Sequence, residues 1–158
     1  MSEIKFATIG TSKITKTFLS AASNVPEFKL EATYSRNIKN AIEFGTPYNV
    51  TKFYDSLKAL AEDRTIDAVY IASPNAFHCS QAIQMMKAGK HVLCEKSLAS
   101  NKKEAEEMFR TAAENNVILL EAMRPVFDPG MDAVKASLNK LGVIRRATLN
   151  YCQYSSRY

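Results

Sequence analysis

The sequence predicts an α/β fold built on a doubly wound parallel sheet. Three observations carry that expectation. Short β-like runs alternate with helical patterns along most of the chain, the order that builds parallel strands through crossover helices. The run Asp67-Ala68-Val69-Tyr70-Ile71-Ala72 is apolar beyond its first residue, as a central strand covered on both faces should be. That run and His91-Val92-Leu93-Cys94 both stop abruptly in polar loops, Ser73-Pro74-Asn75 and Glu95-Lys96-Ser97. In an open parallel sheet, ligands lie beyond the carboxyl ends of the strands, so polar groups gathered there are candidates for chemistry.

Taken in order, Ile4 to Ile9 is the first strand and Gly10-Thr11-Ser12-Lys13 a turn. Ile14, Phe18, Ala21 and Ala22 share one helical face, which ends near Asn24 and Pro26. Phe28 to Tyr34 is a second strand, Ile38 to Phe44 a short helix stopped by Gly45, and Lys52 to Tyr54 a brief third strand. Asp55 is the expected N-cap of a helix that carries Leu57, Leu60 and Ala61 inward. After the central strand, the helix beyond His78 packs through Ala82, Ile83 and Met86. Asn101 opens a longer helix with Ala105, Met108, Phe109, Ala112 and Ala113 at helical spacing, and Val117 to Leu120 is a sixth strand.

From Met123 the pattern changes. Pro125, Pro129 and Gly130 interrupt it, Met131 to Leu141 reads as a helix ended by Gly142, and Ile144 to Tyr154 as a long strand. The expected organisation is one domain over residues 1–122, followed over 123–158 by a connecting segment and the first strand of a second α/β domain. An aromatic-bearing strand without a neighbour is an association hazard, so it would join the sheet, pair with another copy or fail to order.

The 158 residues suit one domain of ordinary size, and the 46% apolar and 23% charged shares are those of a soluble globular protein. No apolar run approaches the roughly 18 residues that span a bilayer. The N-terminus enters a strand directly instead of building a signal peptide, so the expected location is the cytoplasm. Cys79, Cys94 and Cys152 are odd in number and lack close metal-type spacing, which predicts reduced thiols with mostly packing roles and no metal. The net charge of +5 is spread along the chain, and its basic pairs, Lys102-Lys103 and Arg145-Arg146, are not interleaved with aromatics. Both facts weigh against nucleic-acid binding.

A phosphate-binding first turn ordinarily reads Gly-x-Gly-x-x-Gly or Ala. Here the three positions are Gly10, Ser12 and Thr15. Only the first glycine is present, yet the turn lies between a first strand and a first helix, where free N–H groups and the helix dipole attract an anion. Ser12 adds a hydroxyl; a plain strand-to-helix turn is the competing reading. NAD-specific folds place a carboxylate at the end of the second strand, about 20 residues beyond the loop, for the ribose 2′-hydroxyl. This chain has Ser35-Arg36 there and no acidic residue until Glu43. A hydroxyl and a guanidinium fork suit a 2′-phosphate, so NADP is expected over NAD, with a solvated surface arginine as the alternative. Lys96 follows a buried strand directly, its stem fixed by the sheet and its ammonium facing a cleft where it can exchange a proton. The alternative there is a solvated Glu95-Lys96 pair.

With those residues in view, the sequence resembles the N-terminal half of the glucose-fructose oxidoreductase, inositol dehydrogenase and rhizopine-catabolism (Gfo/Idh/MocA) family, nearest its dihydrodiol and xylose dehydrogenase-like branch. The resemblance runs from Ile4 to about Phe127 through Ile9-Gly10-Thr11, Tyr34-Ser35-Arg36, Asp67 to Asn75 with His78, Gly89 to Lys96, and Leu120-Glu121-Ala122. It implies a Rossmann domain followed by a second α/β domain, and NAD(P)-dependent hydride transfer at a carbinol or carbonyl carbon. It also implies that Gly10, Thr11, Ser12 and Ile14 line the pyrophosphate loop and that Ser35 and Arg36 meet the ribose phosphate. Ser73, Pro74, Asn75, His78 and Glu95 would lie along the nicotinamide side, while Lys96 would touch cofactor and substrate and aid proton transfer. His78 has an alternative role as a helix-start residue bonded to backbone. The family's Glu-Lys-Pro becomes Glu95-Lys96-Ser97 here, which removes a fixed φ and a readier cis bond.

The leading expectation is the cofactor-binding half of an NADP-preferring oxidoreductase of a sugar, polyol or related hydroxyl compound, in a chain cut short of its second domain. The rival is a non-catalytic NADP-binding sensor that signals to a protein partner. Ser97 and the missing domain favour the rival; the Glu95-Lys96 pair argues against it. Assembly of like chains through the last strand is compatible with both.

Overall fold

The sheet predicted from the alternating pattern is present in a computed structural model, which describes residues 3–150 and 152. The elements run β1 (Ile4–Ile9), α1 (Lys13–Ala22), β2 (Phe28–Tyr34), α2 (Ile38–Gly45), β3 (Lys52–Tyr54) and α3 (Leu57–Glu62). They continue with β4 (Ala68–Ile71), α4 (His78–Lys87), β5 (His91–Cys94), α5 (Lys102–Glu114) and β6 (Leu119–Glu121). All strand pairings are parallel, in the order β3-β2-β1-β4-β5-β6. The order reverses at β1, so the crevice beside its carboxyl end is the topological switch point.

Side-chain alternation divides the core. Ala7, Ile9, Val69, Ile71, Val92, Cys94 and Leu119 point to one face and pack with Leu60 of α3, Ala82, Met85 and Met86 of α4, and Met108 and Ala112 of α5. The residues between them, Phe6, Thr8, Tyr70 and Leu93, point to the other face, where Phe18 of α1 stacks on Tyr70 and meets Phe6 and Phe28. Over β2 on that face, the Thr33 hydroxyl donates to the Ala41 carbonyl of α2. Both faces of β4 are therefore buried, which explains its unbroken apolar sequence.

Local signals fix most helix ends. Asn37 and Asn101 cap α2 and α5 by accepting from Lys39 N–H and Glu104 N–H. Gly89, at φ +79°, turns the chain from α4 into β5. Four expectations are corrected. The cap of α3 is Ser56, whose hydroxyl accepts from Ala59 N–H, not Asp55. Phe109 faces solvent, 55% exposed, because the stripe of α5 that meets the sheet centres on Met108 and Ala112. The sixth strand is displaced toward its carboxyl end and includes Glu121. Residues 143–150 adopt no regular structure, so the long strand expected from Ile144 does not form in that part, and 151 and 153–154 lie outside the described residues.

The chain divides into two compact units, Met1–Met123 and Arg124–Tyr158. The second has a 3-10 turn at Arg124–Phe127 and a helix, α6 (Pro129–Leu138), capped by Asp128, with Pro129 in its first turn. Its next turn, Asn139–Leu141, ends at Gly142, at φ +67°. Among the described residues no helix is long and apolar enough to cross a membrane.

One polar knot ties β3 to the turn before β4. Asp63 accepts from the hydroxyl and N–H of Thr65, the Tyr54 hydroxyl and the Lys52 amine. Burial opposes the charge on Asp63, but these donors outweigh it and hold the carboxyl well below its ordinary 3.8. A lowered folded-state value stabilises the fold above the unfolded value, and the gain disappears as pH falls toward the folded one. Asp63→Asn should therefore lower stability by about 1–3 kcal/mol near neutral pH. Urea unfolding should show the gap narrowing toward about pH 2.5; a gap that does not change with pH contradicts this origin.

Candidate active site

The carboxyl ends of the strands finish at one level. Ile9 lies opposite Tyr34 and Ile71, Ile71 opposite Cys94, and Cys94 opposite Glu121. The next residue of each strand still bonds to its neighbour: Gly10 N–H to Tyr34 O, Ala72 N–H to Ile9 O, Glu95 N–H to Ile71 O and Ala122 N–H to Cys94 O. Gly10, Ser35, Ser73 and Glu95-Lys96 thus leave the sheet along the same rim.

At the switch point, Gly10 has φ +112°, and a Cβ there would sit 2.6 Å from the Ala72 carbonyl oxygen. Only glycine allows that turn and that approach together. Ser12 then stands at the N-cap of α1 in extended conformation, its hydroxyl 3.5 Å from the Thr15 hydroxyl and making no cap bond to the helix backbone, and no acidic residue lies in the first turn. The N-terminal N–H groups of α1 are left for an anion, and the helix dipole favours one. The dinucleotide that such a fold implies would meet here a turn whose shape and charge fit its pyrophosphate. Thr11 lies in this turn, and Lys16 at the next turn of α1 faces Asn40 and Glu43 across a small polar cleft.

Ser12, Ile14, Ala72, Ser73, Pro74, Asn75, Glu95 and Lys96 line a cleft of about 410 Å³. Seven of them are residues singled out in the sequence, all but Ala72. Ile14 is 41% exposed there, an apolar wall beside polar groups. Ser35 and Arg36 lie outside this cleft, beyond β2; the Arg36 guanidinium rests 5.9 Å from the centre of the Phe77 ring. Lys96 is exposed and the Lys96–Ser97 peptide is cis.

His78 does not line the cleft. It is fully buried, with Nδ1 2.8 Å from Ser97 O and Nε2 2.9 Å from Ser73 O. Its geometry is that of the backbone-bonded alternative: it ties the loop after β4 to the loop after β5. The hydroxyl of Ser73 is also engaged, donating to Gln81 Oε1 at 2.6 Å, so Ser73 faces the cleft with its remaining surface. Glu121 accepts from Leu98 N–H and holds the far end of the Lys96 loop. The Tyr70 hydroxyl donates to Glu95 Oε1 at 2.6 Å. Burial, with Glu95 beside it, holds that hydroxyl above its ordinary value of 10.0, so it remains a donor. Burial also pushes the Cys94 thiol up to about 12, leaving it unreactive. The sequence assigns Gln81, Glu121 and Tyr70 no part in the site: Tyr70 and Gln81 sit in elements whose apolar pattern explains them as packing, and Glu121 stands out only as part of the Leu120-Glu121-Ala122 resemblance. Among the described residues no group of three His, Cys, Asp or Glu side chains is placed to hold a metal ion.

Residues 4–123 match the model of the Gfo/Idh/MocA oxidoreductase family, NAD-binding Rossmann fold. The chain belongs to that family. It is 50% identical over 155 residues to scyllo-inositol 2-dehydrogenase (NADP(+)) IolU of Bacillus subtilis, covering 98% of this chain and 47% of that protein. It is 30% identical over 141 residues to trans-1,2-dihydrobenzene-1,2-diol dehydrogenase of Xenopus tropicalis, covering 88% of this chain and 43% of that one. Among solved structures it superposes with a TM-score of 0.82 and 28% identity on KijD10, a 3-ketoreductase from Actinomadura kijaniata in complex with TDP-benzene and NADP, over 88% of this chain and 44% of that one. The chain spans less than half the length of these Gfo/Idh/MocA relatives.

The Gly10 turn gives a direct check on this geometry. Gly10→Ala should lower stability by about 1–3 kcal/mol, from positive φ and the clash with Ala72, read as a fall in the urea midpoint. An unchanged midpoint would mean the turn is not held against β4.

Proposed function

We propose that this chain is the dinucleotide-binding part of an NADP-preferring dehydrogenase that acts on a CH–OH group of a sugar, polyol or related hydroxyl compound. The observation that carries the cofactor choice is the end of β2. Ser35 and Arg36 follow Tyr34 directly, and Arg36 is exposed, with no acidic residue after β2 until Glu43 where a carboxylate for a ribose 2′-hydroxyl would stand. A guanidinium donates forked, charge-assisted bonds to a 2′-phosphate, a group that a carboxylate there would repel. The names of IolU and of the KijD10 complex, both with NADP, support the same choice, and IolU's name supports a polyol as the substrate class.

In this reading each residue on the rim has a separate task. The Gly10-Thr11-Ser12 backbone and the start of α1 hold the pyrophosphate. Ser35 and Arg36 hold the adenosine ribose phosphate. Ile14, Pro74 and Asn75 shape the cleft toward Glu95, and the Ser73 backbone, fixed by His78, sets its wall. The nicotinamide supplies hydride exchange with the substrate carbon. Lys96 gives or takes the proton of the substrate hydroxyl and stabilises developing charge on that oxygen. The segment from residue 123 would lead into the substrate-binding part.

Calorimetric titration of the 158-residue chain with NADPH and NADH tests the assignment. Wild type should bind NADPH more tightly, and Arg36→Ala should weaken NADPH about 10- to 100-fold while leaving NADH within about twofold. Equal affinities for the two cofactors in wild type and variant would refute it.

A further inference from the structure

Glu95 and Lys96 are consecutive, and an acid beside an amine at an exposed strand end would ordinarily drift into an ion pair. Here the carboxylate is engaged elsewhere. Tyr70 lies opposite Leu93 in the ladder, two residues before Glu95, so Leu93 and Glu95 emerge on the face that Tyr70 occupies. The Tyr70 side chain is 1% exposed, and its hydroxyl meets Glu95 Oε1 at 2.6 Å. Its ring is held in turn, stacked on Phe18 of α1 with centroids 3.9 Å apart and planes within 14°. Phe18 is braced by Phe6 at 6.4 Å and by the edge of Phe28 at 5.8 Å. No ion pair among the described residues includes Lys96.

We propose that Tyr70 is a positioning residue that clamps the Glu95 carboxylate toward α1 and so keeps the neighbouring Lys96 amine unpaired. The inference rests on the reading of Lys96 as the proton-handling group, and it deepens that reading by naming what keeps the amine available. A valine or isoleucine would fill the centre of β4 equally well as core. Tyrosine instead brings a donor from the buried sheet up to the rim. Because the clamp runs through Phe18, the position of α1, whose N-terminus carries the anion-binding turn, is linked to the direction of Glu95.

Trace acetylation with acetic anhydride, followed by peptide mapping, reads the free amine directly when the Lys96 rate is normalised to that of exposed Lys39. Tyr70→Phe keeps the stacked ring and removes only the donor. It should slow acetylation of Lys96 about two- to fivefold, the weight of a solvent-exposed ion pair. Tyr70→Phe with Glu95→Gln should restore the wild-type rate, since no carboxylate remains to pair. A wild-type rate in Tyr70→Phe overturns the proposal. So does slowing that persists in the double variant, as a general loss of structure would give. Glu95→Ala is an independent arm that leaves Tyr70 intact. It should change the Lys96 rate by less than about twofold, and a larger acceleration would mean that the carboxylate already pairs with the amine in wild type. Adding NADPH to wild type separates the underlying reading. Failure of the cofactor to protect Lys96 counts against its place in the dinucleotide site, while the response of the variants judges the clamp alone.

Discussion

Everything at the rim depends on four parallel strands ending at the same height. Ile9, Ile71, Cys94 and Glu121 share one level, and each following residue is held to the neighbouring strand by a backbone bond of 2.7–2.8 Å or, at Gly10, 3.2 Å. Because parallel ladders space their bonds evenly, one register shift would raise or lower a whole loop by about 3.3 Å and reverse its side chains. The absence of a Cβ at Gly10 lets the first loop approach the fourth strand closely enough for their ends to form a single crevice.

A second layer of buried polar contacts aims the loops that this register delivers. His78 bridges the carbonyls of Ser73 and Ser97, Gln81 takes the Ser73 hydroxyl, and Glu121 takes Leu98 N–H. Each contact joins a loop to an element other than its own strand, so the walls of the cleft are cross-braced. Removing one partner of such a contact leaves the other unsatisfied in a poorly hydrated place, which makes a buried polar brace stiff as well as costly to break. Lys90 does related work at the opposite end of β5. It is 2% exposed, and its amine donates to the Asp63 and Ile66 carbonyls, anchoring the turn that feeds β4.

What could be read from the sequence follows from which forces are local. Strand and helix identity are set by hydrophobic period, so β1 to β5 and their crossover helices were legible to within a residue or two, as was the gathering of Gly10, Ser12, Ser73, Asn75 and Lys96 along one rim. Capping is decided by a single side-chain bond, and Asp55-Ser56 offered two acceptors in a row, so the choice between them was invisible. Tyr70, Gln81 and Lys90 were hidden for a different reason. Their partners lie 25, 8 and 24–27 residues away, and a strand tyrosine or a helical glutamine has the same local pattern whether or not its polar end is satisfied. The segment from Ile144 reads as a β-like run, but a strand exists only when another backbone pairs with it, and residues 143–150 have none.

The spacing of the rim constrains the kind of ligand it can serve. Arg36 follows β2 and Lys96 follows β5, three strand positions away across β1 and β4. At about 4.8 Å per step, the two side chains originate roughly 14 Å apart. A single ligand that met both side chains where they leave the sheet would have to be long. Between them lie the Gly10 turn and the start of α1, whose backbone N–H groups take no side-chain cap bond from Ser12, and both favour negative charge in the middle of that span. In the proposed reading, a guanidinium toward one end, an anion-favouring turn at the centre and the Lys96 amine at the other would suit a molecule phosphorylated along its length and reactive at one tip. The Arg36–Phe77 contact fits the same geometry, because a flat cation over an exposed ring keeps the guanidinium extended over the switch point instead of collapsed onto the surface of α2.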